Sequence, residues 1–207
     1  MLILALFCVH LFSAPAEAVR PAPGYRVELA AELGAVVSDL NTKGHYRQAI
    51  QEAGRITRAV ERFAPVAYEA GYAHYRLGEL DAAARQYDQA LALDPHLAAA
   101  HYDRGEIALD QGHLERAQEH FQAVVRLRPK HWAGHFRLAH LAGLAGTPAA
   151  LHTHLSAAIG TGFELETLLV DPDWRAFSRD PALGPVLRKL VVLYGDETIL
   201  QQLKGAP

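Results

Sequence analysis

The chain has 207 residues, half of them apolar, and its 20 basic and 23 acidic side chains give a formal net charge of −3. This composition favours one folded array and excludes a disordered or fibrous protein. Basic and acidic residues alternate, as in Glu115, Arg116 and Glu119, so no basic stripe is available for a phosphate backbone. We therefore expect no nucleic-acid partner.

Residues 1–18 have the pattern of a secretory signal peptide. Residues 2–12 form an apolar run that is short for a membrane-spanning helix. Ala16 and Ala18 supply the small side chains that a signal peptidase recognises, so we expect cleavage after Ala18 and a periplasmic or secreted chain. Cys8 would be removed with this segment, leaving no thiol or disulfide chemistry. The alternative is an uncleaved anchor, which would give a membrane-tethered structural subunit and make the membrane a partner.

A leader at residues 19–29 is predicted to precede the folded part. Its first residues, Val19–Tyr25, contain prolines and a glycine and are expected to be flexible. A helical pattern begins near Val27.

Glycines recur with a 34-residue period, at Gly44, Gly78, Gly112 and Gly146. A fixed period of this length predicts a stacked repeat protein. Each repeat is expected to contain two amphipathic helices joined at the glycine, which tolerates the left-handed backbone of a tight turn. Without insertions, the chain divides into repeats at 30–63, 64–97, 98–131 and 132–165.

The two central repeats carry a recognisable motif. The runs AGYAHYRLGELDAAARQYDQALALDP and RGEIALDQGHLERAQEHFQAVVRLRP resemble the tetratricopeptide repeat, and the match is strong over residues 64–131. The outer repeats are more degenerate, as expected for the ends of a capped array. The resemblance implies an all-α, right-handed superhelical α-solenoid of helix-turn-helix repeats. It also implies non-catalytic binding of a protein or peptide partner.

Two further glycines, Gly71 and Gly105, fall in the middle of predicted helices. A glycine in the middle of a helix lowers the stability of the fold by about 0.5–1 kcal/mol relative to alanine. We expect a close approach of the neighbouring helix to offset this loss. Ala83 and Ala117 are the small residues predicted to face these glycines from the following helix.

Residues 166–207 leave this period and are predicted to form a helical C-terminal cap. Asp171, Asp180 and Asp196 are each placed to begin a helix, because an aspartate accepts hydrogen bonds from free backbone amides. Apolar residues at helical spacing are expected to cover the last repeat: Leu187, Leu190, Val191 and Tyr194.

The resemblance also implies a binding surface, because the first helix of each repeat lines a concave groove in such proteins. The matching positions are Tyr68, Tyr72, Tyr75, Arg76, Tyr102, Glu106, Leu109, Asp110, Phe136 and His140, followed by Leu144. Tyr68, Tyr102 and Phe136 recur with the same period as the glycines and would form an aromatic ladder suited to a partner segment. The alternative is that the leader or the tail helix of the same chain fills this ladder.

Some relatives hold acidic chaperone tails with a clamp of lysines and asparagines in the groove. Here the corresponding region carries Glu69, Asp103 and Glu106, so that clamp is absent. A partner of mixed or basic character with apolar anchors is expected instead.

Catalytic and metal chemistry have weaker support in the sequence. Of the twelve histidines, His131 and His135 lie one helical turn apart, but Trp132 occupies the place of the glutamate that a zinc hydrolase needs. No serine lies in a nucleophile elbow. We expect no enzyme activity, no cofactor and no metal, with a histidine-based metal-binding protein as the alternative.

Overall fold

The computed structural model describes residues 25–60, 62–169, 171–195 and 197–204. The predicted signal peptide at 1–18 and the leader residues 19–24 lie outside these ranges. Helix α1 begins at Tyr25, two residues before the predicted start near Val27, so Tyr25 is helical rather than flexible.

Paired helices form an all-α repeat solenoid, as the sequence predicted. The four pairs are α1 Tyr25–Thr42 with α2 Tyr46–Ala59, α3 Ala64–Arg76 with α4 Leu80–Leu93, α5 Ala98–Asp110 with α6 Leu114–Leu127, and α7 Trp132–Leu144 with α8 Pro148–Gly160. A 3₁₀ turn at Leu165–Leu169 leads to α9 Pro172–Arg179, α10 Leu183–Tyr194 and α11 Glu197–Lys204. In the described ranges, none of the helices has the length and apolar character needed to cross a membrane.

The periodic glycines end the first helix of each pair, which confirms their predicted role. Gly44, Gly78, Gly112 and Gly146 have φ values of 75°, 75°, 73° and 61°, a region that other residues rarely adopt. After α3, the Gly78 amide donates to the Tyr75 carbonyl at 2.9 Å, and the Glu79 amide donates to the His74 carbonyl at 3.0 Å. These bonds satisfy carbonyl groups that the helix end leaves without partners.

The glycines inside α3 and α5 allow a close approach, but not to the predicted alanines. A Cβ atom on Gly105 would lie 2.7 Å from the ring of Phe121, and one on Gly71 would lie 2.7 Å from the ring of Tyr87. The pairing with Ala83 and Ala117 was therefore wrong. Each of these glycines instead faces the aromatic ring that lies one turn after the alanine on the following helix.

The core runs along the array between neighbouring pairs. In its centre small residues alternate with single large ones, and Ala83, Ala100 and Ala117 are fully buried beside Tyr87 and Phe121. The small side chains let the helices approach closely, and one ring per pair fills the remaining space. The aromatic side chains on the first helices therefore pack against a rigid core.

The C-terminal helices pack on the fourth pair. Asp171 begins α9 and accepts a hydrogen bond from the Asp173 amide at 2.9 Å, as predicted. Asp180 accepts hydrogen bonds from the amides of Ala182 and Leu183 at the start of α10. Helix α9 contacts α7, and α10 contacts α8. Leu187, Leu190 and Val191 are buried, as expected of residues that cover the last repeat. Tyr194 ends α10 and is 55% exposed, so its assignment to that covering set was wrong. The prediction for Asp196 lies outside the described residues.

Candidate functional site

The residues that the sequence placed in a groove lie on three first helices. Helix α3 carries Tyr68, Tyr72, Tyr75 and Arg76, α5 carries Tyr102, Glu106, Leu109 and Asp110, and α7 carries Phe136 and His140. Spacings of three and four residues place such side chains on one face of a helix. We call the surface on α3 and α5 the groove face.

An open cleft of about 570 Å³ lies on this face, between α3, α5 and the start of α7. Tyr68, Tyr102, Asp103 and Trp132 line it. The other lining residues are Ala98, Ala99, Val124, Arg128, His131 and Ala133. The cleft brings two predicted ladder residues together and adds Trp132, which the sequence analysis did not assign to the groove.

The two tyrosines of the cleft have the same surroundings one repeat apart. The Tyr68 ring centroid lies 5.7 Å from that of Tyr87, and the Tyr102 centroid lies 5.7 Å from that of Phe121. Tyr87 and Phe121 are fully buried, whereas Tyr68 and Tyr102 are half-buried. Each groove tyrosine is thus held against a core ring while part of it faces the cleft.

Asp103 places a carboxyl group beside these rings. Burial raises its pKa above the ordinary value, and the hydroxyl groups of Tyr68 and Tyr87 act in the opposite direction. Burial and the charge of Asp103 raise the pKa of Tyr68, which stays neutral. Among the described residues, Oδ2 of Asp103 is buried without a hydrogen-bond partner. Asp103 therefore contributes to the wall of the cleft a carboxyl group with one unsatisfied oxygen.

Next to it, Glu106 and Arg137 form an ion pair between α5 and α7. Nε of Arg137 also donates to the Tyr102 hydroxyl at 3.3 Å, which fixes the tyrosine from the side. Burial raises the pKa of Glu106 to about 7, although the Arg137 charge opposes this shift. The sequence analysis missed Arg137, because a single arginine gives no indication that it crosses to the neighbouring repeat.

At the other end of the groove face, Arg76 joins two tyrosines. Its Nη1 donates to the Tyr72 hydroxyl at 2.6 Å, and its guanidinium lies 4.8 Å from the ring centroid of Tyr46 on α2. This cation–π contact holds an exposed arginine over an aromatic surface.

Three further predicted residues contribute less open surface. Tyr75 packs against the core around Tyr87, and Leu109 packs against the core around Phe121. Asp110 is exposed and adds negative charge at the end of α5.

Phe136 and His140 do not line an open surface, so these two predictions were wrong. Phe136 is 7% exposed and lies between Phe163, at 4.5 Å, and Trp174, at 5.5 Å between ring centroids. His140 is 5% exposed, and its Nε2 lies 3.0 Å from Oδ2 of Asp173. Helix α9 covers both residues. The aromatic ladder is therefore open at Tyr68 and Tyr102 and closed by the chain's own tail at Phe136, the alternative that the sequence left open.

His140, Asp171 and Asp173 also form a cluster of possible metal ligands. Their ligand atoms lie within 4.8 Å of one another, and over the described ranges no other three such residues converge in this way. The sequence attributed Asp171 and Asp173 to capping, and Asp171 does cap α9. The same two carboxyl groups meet His140 because α9 lies on α7.

Solved structures of helical repeat proteins resemble this fold. YrrB, described as a TPR protein with an unusual peptide-binding site, is 15% identical with a TM-score of 0.65, covering 84% of this chain and 91% of its own. MamA from Desulfovibrio magneticus RS-1 is 17% identical with a TM-score of 0.61, covering 84% and 90%. PilF from Pseudomonas aeruginosa is 17% identical with a TM-score of 0.62, covering 84% and 81%. At these identities the similarity concerns the fold.

The sequence itself matches a family model across the helix pairs. No curated protein matches the chain at a significant level. The model described as tetratricopeptide repeat matches residues 39–98, 68–129 and 102–150, which together span more than half of the chain. With the glycine-ended helix pairs and the groove face on their first helices, the match shows that this chain belongs to the tetratricopeptide repeat family.

Proposed function

We propose that this protein is a non-catalytic scaffold that binds a segment of another protein on the groove face of α3 and α5. The observation that carries the proposal is the open cleft with Tyr68 and Tyr102, each half-exposed and backed by a buried ring. Aromatic side chains held on rigid helices provide contact area at little cost in conformational entropy and are frequent binding hot spots. The peptide-binding site named in the description of YrrB supports this use of the fold.

The chemistry of the cleft favours a segment with an apolar anchor and a basic residue. Trp132 and the two tyrosines provide the apolar contacts. Asp103 offers a buried oxygen without a hydrogen-bond partner among the described residues, and Glu106 has a second one in Oε1. A lysine or arginine would satisfy such an acceptor with a charge-assisted hydrogen bond. Because Glu106 is already paired with the Arg137 guanidinium, we expect the lysine or arginine of the partner to bind at Asp103.

The length of the segment follows from where the groove is closed. Helix α9 occupies the surface of α7 around Phe136 and His140. The partner therefore lies along the second and third helix pairs, between Arg76 and Trp132, and makes no contact with Phe136.

Selection from a random peptide library tests the proposal. The parent protein should enrich short peptides that combine an aromatic or large aliphatic residue with lysine or arginine. Asp103→Asn keeps the size of the side chain and should lose the preference for basic residues while keeping the apolar one. Gln122→Ala, on an exposed position of α6, is the matched control and should select the same peptides as the parent. Enrichment of acidic peptides, or of none, would contradict the proposal.

We also propose that the chain acts outside the cytoplasm. The support is the apolar run at residues 2–12 and the small residues Ala16 and Ala18. Protein recovered from an exporting host should begin at Val19, as shown by intact mass. Membrane-bound material that retains Met1 would favour the anchor instead.

A further inference from the structure

We propose that His101 and His120 form a binding site for a divalent transition metal ion such as Zn²⁺, and that His135 and His154 form a second one. The proposal goes beyond peptide binding and does not depend on it. Each site joins the first helix of a pair to the second helix, and none of the four histidines lines the cleft.

The distance between the two imidazoles suits a metal ion. The Nδ1 atoms of His101 and His120 are 3.1 Å apart, and those of His135 and His154 are 3.3 Å apart. Zinc–nitrogen bonds of ~2.0–2.1 Å at a tetrahedral centre place two ligand nitrogens about 3.3–3.4 Å apart. Both pairs could therefore take up the ion with only small movements of their rings.

The two pairs occupy equivalent places one repeat apart. His101 and His135 are the fourth residues of α5 and α7, and His120 and His154 are the seventh residues of α6 and α8. The same places in the second helix pair hold Ala67 and Gln86. The fold therefore does not require histidines there for packing, and the pairing is a feature of the third and fourth pairs.

Hydrogen bonding prepares His101 to act as a ligand. Its Nε2 lies 3.1 Å from the carbonyl oxygen of Pro95. Because a carbonyl only accepts, Nε2 carries the proton and the Nδ1 lone pair points towards His120. Metal-binding histidines commonly donate their other nitrogen to a backbone carbonyl in this way. Without metal, His120 donates its Nδ1 proton to His101. With metal, that proton moves to Nε2 of His120, and both Nδ1 lone pairs bind the ion without net proton release.

Burial favours the neutral, metal-binding form of three of these rings, those of His120, His135 and His154. Burial lowers the pKa of His120 to about 4, with smaller effects of His101 and Arg104 in the same direction. Burial also lowers the pKa values of His135 and His154. The nearby Arg104 charge is balanced by Asp88, whose Oδ1 accepts from Arg104 at 2.9 Å. Histidines that are neutral at pH 7 need not lose a proton to bind the ion.

The cluster of His140, Asp171 and Asp173 is a less suitable site, although it has three possible ligands. Its histidine faces the carboxyl groups with Nε2, while Nδ1 is buried without a partner among the described residues. A metal on Nε2 would place the ring proton on Nδ1, where no acceptor satisfies it. The paired histidines avoid this cost at His101.

Each histidine pair supplies two ligands to the metal ion and leaves two positions to water. This arrangement fits reversible binding rather than the three-ligand catalytic sites of zinc enzymes.

Zinc titration of the full chain without a polyhistidine tag tests the inference. Equilibrium dialysis followed by metal analysis should find two Zn²⁺ ions per chain. His101→Ala with His120→Gln, which copies the residues of the second pair, should remove one ion, and His135→Ala with His154→Gln should remove the other. His113→Ala, at an exposed position, is the control and should bind two ions. The inference would be overturned if the parent bound no Zn²⁺ or if a variant with all four substitutions bound as much Zn²⁺ as the parent. Loss of the ions in Asp173→Asn would also overturn it, because it would place them at the cluster of His140.

A second measurement does not depend on the folding of the variants. In the parent protein, the imidazole nitrogen resonances of the four paired histidines should shift on addition of Zn²⁺, with Nδ1 as the bound atom. Shifts confined to other histidines would contradict the proposed sites.

Discussion

At the scale of single residues, the positions of the groove tyrosines depend on glycines that leave space for core rings. Gly105 leaves room for the Phe121 ring against the backbone of α5, and Phe121 in turn supports Tyr102. The same arrangement joins Gly71, Tyr87 and Tyr68 one repeat earlier. Each groove tyrosine is thus held in position by a core ring, and a glycine provides the space that this ring needs.

Replacing Gly105 with alanine tests this arrangement. In an open helix the change would stabilise the protein by about 0.5–1 kcal/mol. Here the new Cβ would lie 2.7 Å from the fully buried Phe121 ring, and overpacking of a core typically costs about 1–3 kcal/mol. We expect a lower free energy of unfolding in urea, and Gly105→Ala combined with Phe121→Leu should lose less than the sum of the single changes.

Gly160→Ala is the matched control, because a Cβ there would meet nothing within 4 Å. It should leave the stability unchanged or raise it. Equal effects of the two glycine substitutions would show that the close approach to Phe121 has no energetic consequence.

Asp103 gives a prediction about pH. Burial raises the pKa of its carboxyl group, with Tyr68, Tyr87 and Glu69 as the facing groups. The native state therefore retains a proton that the unfolded state has lost, and this residue destabilises the fold increasingly as the pH rises above its ordinary pKa of 3.8. Asp103→Asn removes the effect, so urea unfolding should show the variant gaining on the parent as the pH rises. A stability difference that does not change with pH would contradict the shift.

At the scale of elements, α9 acts as a built-in cover of the fourth helix pair. Trp174 is fully buried, stacks on Phe136 and lies 5.4 Å from Phe177 between ring centroids. Asp173 adds a polar contact to His140. This cover removes from solvent an aromatic surface that would otherwise continue the groove face, and it leaves the open cleft at α3, α5 and the start of α7.

Trp174→Ala should show how much this contact contributes. Truncating a buried aromatic side chain typically costs about 3–5 kcal/mol, through lost apolar contact and the cavity left behind. We expect a loss of this size in urea unfolding. Lys189→Ala, at an exposed position on α10, should be close to neutral. A loss below about 1 kcal/mol for Trp174→Ala would mean that α9 is not seated firmly on α7.

At the scale of the whole molecule, the period of the glycines was enough to predict the repeat solenoid and its turns. Gly44, Gly78, Gly112 and Gly146 could be assigned because a left-handed turn is a local requirement. The groove positions on α3 and α5 followed from the family resemblance and the helical spacing.

The parts that the sequence did not predict depend on contacts between distant segments. Nothing local in Phe136 or His140 shows that Trp174 covers them, since the path of the tail depends on the whole core. The ion pair of Arg137 likewise joins neighbouring repeats. The histidine pairs did leave a signal, because His101 and His135 lie one full repeat apart, as do His120 and His154. Comparing the repeats position by position would have found them.

The central claim, that a partner segment binds at the cleft on the groove face, is tested most directly by the affinity of a library-selected peptide for Tyr102→Ala. Truncation of a central aromatic anchor typically costs at least ~2 kcal/mol, so we predict a Kd more than tenfold weaker. The circular dichroism spectrum and the cooperativity of unfolding should stay close to those of the parent, and Gln122→Ala should bind as the parent does. Unchanged affinity in a folded Tyr102→Ala protein would contradict the account.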